Sequence, residues 1–150
     1  MQTLSRAGLQ VDLPDGWDAR ISQRVAEAGV VTRRTMHAAS FALPPNLGDY
    51  ATAAVDAMQA TDVLVTLVEF DPASANQGLF RSQGLPDGLT PDAFSPSAMP
   101  RAVPGRTAGQ FFFSSGDRAF CLYVVLGSHT QRAALLPLAT AVVRTIKVDG

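Results

Sequence analysis

The chain has 150 residues, 47% of them hydrophobic, with a formal charge of −1, which is enough apolar material for one packed domain and excludes disorder of the whole. With that charge, its arginines scattered and no basic run of five or more, binding to nucleic acid through phosphate contacts is not expected. One cysteine, Cys121, excludes an internal disulfide and any multi-cysteine metal site.

In chain order, Leu9, Val11 and Leu13 alternate with Gln10 and Asp12, predicting a half-buried strand that Pro14-Asp15-Gly16 ends in a tight turn. From Trp17 to Arg24, Trp17, Ala19 and Ile21 alternate with Asp18, Arg20 and Ser22. The opening therefore reads as a two-stranded hairpin whose indole anchors the turn. Val25 to Gly29 reads as a connector. Between Val30 and Leu43 an extended run puts His37, Ala39, Phe41 and Leu43 on one face and Met36, Ala38, Ser40 and Ala42 on the other, until Pro44-Pro45 stops it.

Asp49 as N-cap, with Ala51, Ala54, Val55 and Met58 at i, i+3, i+4 and i+7, predicts an amphipathic helix of about three turns. Val63 to Phe70 is apolar on both faces except at Thr66 and Glu69. That pattern predicts an interior strand with Glu69 near its solvated end.

Between Asp71 and Arg106 prolines and glycines are too frequent for ordinary helices or strands. Yet Leu79, Phe80, Leu85, Leu89, Phe94, Met99 and Val103 are too apolar for a free linker, so this long loop is expected to wrap the body and bury them. Thr90-Pro91-Asp92 predicts a helical turn capped by Thr90 with Pro91 at its first position.

Gly109 to Gly127 predicts a hairpin turning at Ser114-Ser115-Gly116-Asp117. In its second strand Phe120, Leu122, Val124 and Leu126 share one face, and Ala119, Cys121, Tyr123 and Val125 the other. Both faces are apolar, so the strand is interior and covered twice. In Phe111-Phe112-Phe113 the middle ring must point opposite to its neighbours. Leu135, Leu138, Ala139, Val142, Val143 and Ile146 form a stripe at helical spacing, which predicts a last helix with Pro137 in its first turn, then a short edge strand at Ile146 to Val148.

Catalytic chemistry is not visible. His37 and His129 lack metal-ligand spacing and read as a packed strand residue and a loop residue, and no phosphate-binding loop, nucleophile elbow or zinc-protease motif occurs. Ser114, His129 and Asp117 make a Ser/His/Asp set only on paper. Cys121, within an apolar strand, reads as an inert core thiol. The expectation is a noncatalytic protein with no cofactor and no metal. Its opening residues lack the apolar core of a signal peptide and no membrane-length apolar run follows, so cytoplasmic residence without direct membrane insertion is expected.

The order of these elements resembles the PsbP-like superfamily. The resemblance rests on Leu13-Pro14-Asp15-Gly16-Trp17 after a first strand, an amphipathic helix leading into Val63 to Phe70, a late hairpin, and a closing helix that runs into Thr145-Ile146-Lys147-Val148. It implies one α+β domain over residues 1–150: a mostly antiparallel twisted sheet of about six strands with helices on its faces, an α-β-α sandwich. Members include extrinsic photosystem subunits, Ran-binding nuclear-transport cofactors, envelope lipoproteins and Eag chaperones that shield hydrophobic segments of secreted effectors. The proline-rich loop at 71–106 departs from that pattern.

The resulting expectation is a protein-binding module, an adaptor or secretion-associated chaperone holding a hydrophobic segment of another protein, with Phe80, Phe94, Met99 and Phe112 as contacts. Two alternatives stand beside it: a structural subunit of a multi-subunit assembly, and a small-molecule binder or unrecognised enzyme with a pocket near Tyr123, His129 or Arg118.

Overall fold

The computed structural model describes residues 2–23, 32–45, 47, 51–99 and 103–149. Chain entry is a hairpin of β1 (Gln2–Arg6) and β2 (Leu9–Leu13), in register from Gln2 opposite Leu13 to Arg6 opposite Leu9. Its two-residue turn, Ala7-Gly8, has positive φ at both positions, the twist that a tight hairpin needs. After the turn at Pro14 to Trp17, the chain passes through β3 (Asp18–Gln23) and β4 (Thr32–Ala39), which pair antiparallel. Then follow α1 (Thr52–Ala57), β5 (Val63–Phe70), the long loop, the hairpin β6 (Thr107–Ser115) and β7 (Arg118–Leu126), α2 (Arg132–Val143) and β8 (Lys147–Val148).

The fold is α+β with two antiparallel sheets: one of five strands in the order β3-β4-β5-β7-β6 and one of three in the order β1-β2-β8. This replaces the expected sheet of about six strands. The predicted opening hairpin is likewise corrected: β2 pairs with β1 and β8, and β3 with β4, so the Pro14-Asp15-Gly16 turn carries the chain from one sheet to the other. Trp17 is half-buried at that crossing and packs on the core.

The two apolar faces of β7 behave as their alternation predicts. Phe120, Leu122, Val124 and Leu126 join one core with Met36, Ala38, Leu67, the inner side of β2 and the buried residues of α2. Cys121, Tyr123 and Val125 join a second core with Ala39, Leu64, Ala108, Ala54, Val55 and Met58. The middle phenylalanine obeys the same parity: Phe112 packs on the second core while Phe111 and Phe113 belong to the first.

Helix α1 is six residues, shorter than the three turns expected, although Ala51, Ala54, Val55 and Met58 are buried as their spacing requires. A helix this short has no stability of its own. It is held by those contacts and by Arg106, whose guanidinium donates from Nε to Val55 O at 2.9 Å and from Nη2 to Met58 O, satisfying carbonyls at the helix C-terminus. The expected Asp49 cap and the connector at Val25 to Gly29 lie outside the described residues. At Gly127 the chain leaving α1 comes so close that an added Cβ would lie 1.9 Å from Gln59 O, so only glycine fits there.

The 71–106 loop is built from four 3₁₀ turns, Pro72–Ser74, Gly78–Phe80, Pro91–Ala93 and Pro96–Ala98, the third with Thr90 and Pro91 in the expected places. It wraps the sheet edge. Phe80 packs between Phe70 and Phe112 on the second-core side, with ring centroids 5.4 and 5.6 Å away. Leu85, Leu89 and Phe94 then cover the first core, and Ala98, Met99 and Val103 return to the second.

Helix α2 begins at Arg132, three residues before the predicted start, because Ser128 Oγ accepts from Gln131 N and Arg132 Nη1 donates to His129 O, fixing the turn earlier. Pro137 therefore sits in the second turn, where its missing N–H leaves Ala133 O without the usual i+4 donor.

Candidate functional site

The paper triad does not assemble. His129 Nδ1 shares a 3.0 Å hydrogen bond with Thr107 Oγ1 at one end of β6, while Ser114 near the other end donates to Phe80 O and accepts from Asn76 N. Ser114 is seven residue steps along the strand from Thr107, about 23 Å of extended chain. The set Tyr123, His129 and Arg118 is spread out in the same way: Tyr123 is buried in the second core, and Arg118 lies at the far end of β7 from His129. Among the described residues no group of three His, Cys, Asp or Glu side chains is placed to hold a metal. No helix among them is long and apolar enough to cross a membrane.

Among the described residues Glu69 is the one place where charge is concentrated in the interior, and it corrects an expectation. It is 0% exposed, because the end of β5 lies beneath Arg34 and Arg118 from the neighbouring strands. Arg118 Nε and Nη2 donate to its two oxygens at 2.7 and 3.1 Å, and Arg34 Nη1 adds a third bond at 3.2 Å. Burial by itself pushes the carboxyl up, but the bonds and charge of Arg118, seconded by Arg34, hold it below the ordinary carboxylate value. The second strand of the main hairpin thus reaches the three-stranded sheet: Arg118 Nη1 donates to Asp149 O beside β8 and lies against the Gly8 turn. Its guanidinium also stacks over Phe120 at 5.1 Å. Every strong bond here is internal, so the cluster clamps the two sheets together. His37 is likewise absorbed, bonded to Thr66 at 3.0 Å in the core, and Cys121 is a buried thiol pushed up to about 12 by desolvation.

The four side chains expected to meet a partner separate into two pairs. Phe94 and Met99 are buried in the protein's own cores and offer no surface as folded, the loop that carries them being fastened to β6 at Gln83 and at Ser95. Phe80 and Phe112 are half-buried and stack on each other. Beside them Leu79 is 69% exposed.

The larger apolar surface is elsewhere, and it corrects the stripe reading, which set Leu138 on the core side of α2 where the structure sets Leu136. Leu135, Leu136, Ala139, Val142 and Val143 face the core from α2. The opposite side presents Ala133, Ala134, Pro137, Leu138 and Ala141 to solvent, with Leu138 48% exposed. A solvent face normally carries charged residues. Here no charged residue occurs from Ala133 to Val143, and no acidic residue from Arg118 to Val148. Along one flank, Leu89 and Pro91 of the wrapping loop form the far wall of a groove of about 440 Å³ against Ala133, Leu136, Pro137, Thr140, Ala141 and Arg144. Arg132 holds that wall, donating from Nε to Pro91 O at 3.2 Å. The signal available in the sequence was the missing charge: a helix that is apolar all round has a cover on both sides.

No protein-family model matches this chain, and neither a curated protein nor a solved structure is significantly similar to it.

Proposed function

We propose that the chain is a noncatalytic protein-binding module that holds an apolar segment of a partner protein against the outer face of α2 and its groove, the work of an adaptor or a secretion-associated chaperone. The observation that carries this reading is the uncharged outer face from Ala133 to Ala141, set beside a groove walled by Leu89 and Pro91. Alanines at 133, 134 and 141 leave room for another backbone to come close, as in helix pairs packed through small residues. The same smallness argues for protein over lipid: Leu138 is the one large side chain exposed there, and membrane-surface helices press bulky apolar groups into the bilayer.

The charge pattern argues for a different partner over a second copy. A two-fold contact centred on α2 opposes Arg144 either to its own equivalent or to Arg132, and like charges disfavour both arrangements. A segment bearing a carboxylate near the groove end at Arg144 suits the surface better. The PsbP-like reading belongs to this proposal. It is supported by α1 and α2 packing on opposite faces of the five-stranded sheet, with the three-stranded sheet as an addition to the α-β-α plan.

The test is site-specific photocrosslinking in the native host with benzoylphenylalanine in place of Ala141, and Asp15 on an exposed turn as control position. The expected result is one dominant adduct whose mapped peptide is apolar with an adjacent carboxylate, and which disappears when Ala134→Glu is added. Adducts at Ala141 no stronger than at Asp15 overturn the reading. A dimer by light scattering that dissociates on Ala134→Glu, or vesicle flotation that depends on Leu138, replaces it with self-assembly or with membrane association.

A further inference from the structure

We propose that the outer edge of β6 between Ala108 and Ser114 is a docking slot for an extended peptide segment, which adds there as a short strand. The inference rests on hydrogen-bond parity along an edge strand. Strand β6 is paired with β7 on one side only. In an antiparallel pair alternate residues turn their N–H and C=O groups away from the partner. Ala108 and Ser114 are two such residues, since both bond outward to the wrapping loop. Ala108 exchanges two bonds with Ser95, at 2.9 and 3.2 Å. Ser114 receives Gly84 N at 2.8 Å and donates to Ser82 O at 2.7 Å.

By the same parity Gln110 and Phe112 face outward between them, and no described residue pairs with their backbone groups. Among the described residues the loop therefore covers this edge at both ends and leaves the backbone groups of two residues unpaired in the middle, while the Gln110 side chain donates from Nε2 to Ala98 O at 2.8 Å. Its own loop shows that the edge accepts strands in either direction, antiparallel at Ser95 and parallel at Gln83. Elsewhere in folds an open edge is blunted by charge, proline or a bulge. Gln110, Phe111 and Phe112 supply none of these.

Beside the open stretch is a cleft of about 320 Å³ lined by Ser82, Gln83, Leu85, Pro86, Asp87 and the Phe111–Phe113 run. Cross-strand neighbours point to the same side of a sheet. The middle residue of an added segment, opposite Phe111, thus enters this cleft beside Leu85 and Phe111 and is best apolar and β-branched. In an antiparallel segment, the direction taken at Ser95, the residues on either side of it lie opposite Gln110 and Phe112 and make the backbone bonds. Asp87 is the one charged lining residue, which favours a basic residue at one end of the segment. The occupant is therefore a short extended stretch with an apolar centre and a cationic flank. That chemistry differs from the apolar, carboxylate-bearing segment assigned to α2, and the slot stands whether or not that assignment does.

The experiment uses the full chain, labelled for amide NMR, and a blocked tetrapeptide of sequence Thr, Val, Thr, Lys. In the free protein the amides of Gln110 and Phe112 should exchange with solvent much faster than those of Phe111 and Phe113, and peptide should slow them and shift their resonances. N-methylation of both threonines should weaken binding on the order of 10-fold or more, since those amides point at β6, whereas N-methylation of the valine, which points away, should leave it within about 2-fold. Asp87→Asn should weaken the lysine-bearing peptide, and Ala141→Glu should change nothing. The proposal is overturned if Gln110 and Phe112 are already protected in the free protein. Equal binding of the two methylated peptides, or shifts confined to the α2 groove, also overturns it.

Discussion

Glu69 places a carboxylate where the surroundings are apolar, and the outer face of α2 places apolar side chains where the surroundings are water. The first misfit is resolved within the chain: two arginines from adjacent strands supply three charge-assisted bonds and leave the carboxylate with no exposed surface. For the second, no cover exists among the described residues, and Ala133, Ala134, Pro137, Leu138 and Ala141 remain open. A buried polar group answered internally is part of the scaffold, while an exposed apolar face left unanswered is a statement about what lies outside.

If that contrast is right, breaking the internal answer is costly. Glu69→Ala leaves two guanidiniums without a counter-charge beneath the smaller sheet, and urea denaturation should register a loss of about 4 kcal/mol. Phe94→Ala comes next at about 3 kcal/mol, because its ring fills the first core 6.2 Å from that of Phe111; a loss near zero would mean that the loop is not fastened. Acid should act through the same carboxylate. The folded value of Glu69 lies below its unfolded one, so its contribution is present above the unfolded value near 4.5 and is lost as pH falls through the lower, folded value. Glu69→Gln should therefore lose less stability than the wild type over that acid range, which stability measured at a series of pH values can check. At the small end, Ala141→Glu should change stability by no more than about 0.5 kcal/mol, since it adds charge to a face that packs against nothing in the isolated chain. A large loss there would show that the face has an internal cover and remove the contrast.

Much of the fold was legible wherever a strand or helix is buried by alternation or stripe. Strands β5 and β7 and the opposed ring of Phe112 follow directly from side-chain period, and so does the inner side of α2 except that Leu136 takes the place expected for Leu138. Strand β1 was not legible, because Gln2 to Arg6 is an exposed edge on which only Leu4 turns inward, so no alternation marks it. The assignment of β2 and β3 to different sheets was hidden for another reason: a Pro-Asp-Gly turn fixes a change of direction and says nothing about pairing. The environment of Glu69 depends on Arg34 and Arg118, 35 and 49 positions away, which no local pattern connects. As for the candidate surface, apolar content in the loop drew attention to Phe94 and Met99, which the core consumes. The quieter signal was eleven residues of α2 without a charge.

Cys121 gives the molecule a clock of its own. Its thiol lies in the middle of β7, wholly enclosed by the second core, and burial raises it to about 12, so at neutral pH it is both unreachable and un-ionised. A thiol reagent can consume it only when the second core, with its cover of α1 and the wrapping loop, opens. The lifetime of the unmodified cysteine then counts openings of the second core, one molecule at a time, with no denaturant and no engineered label.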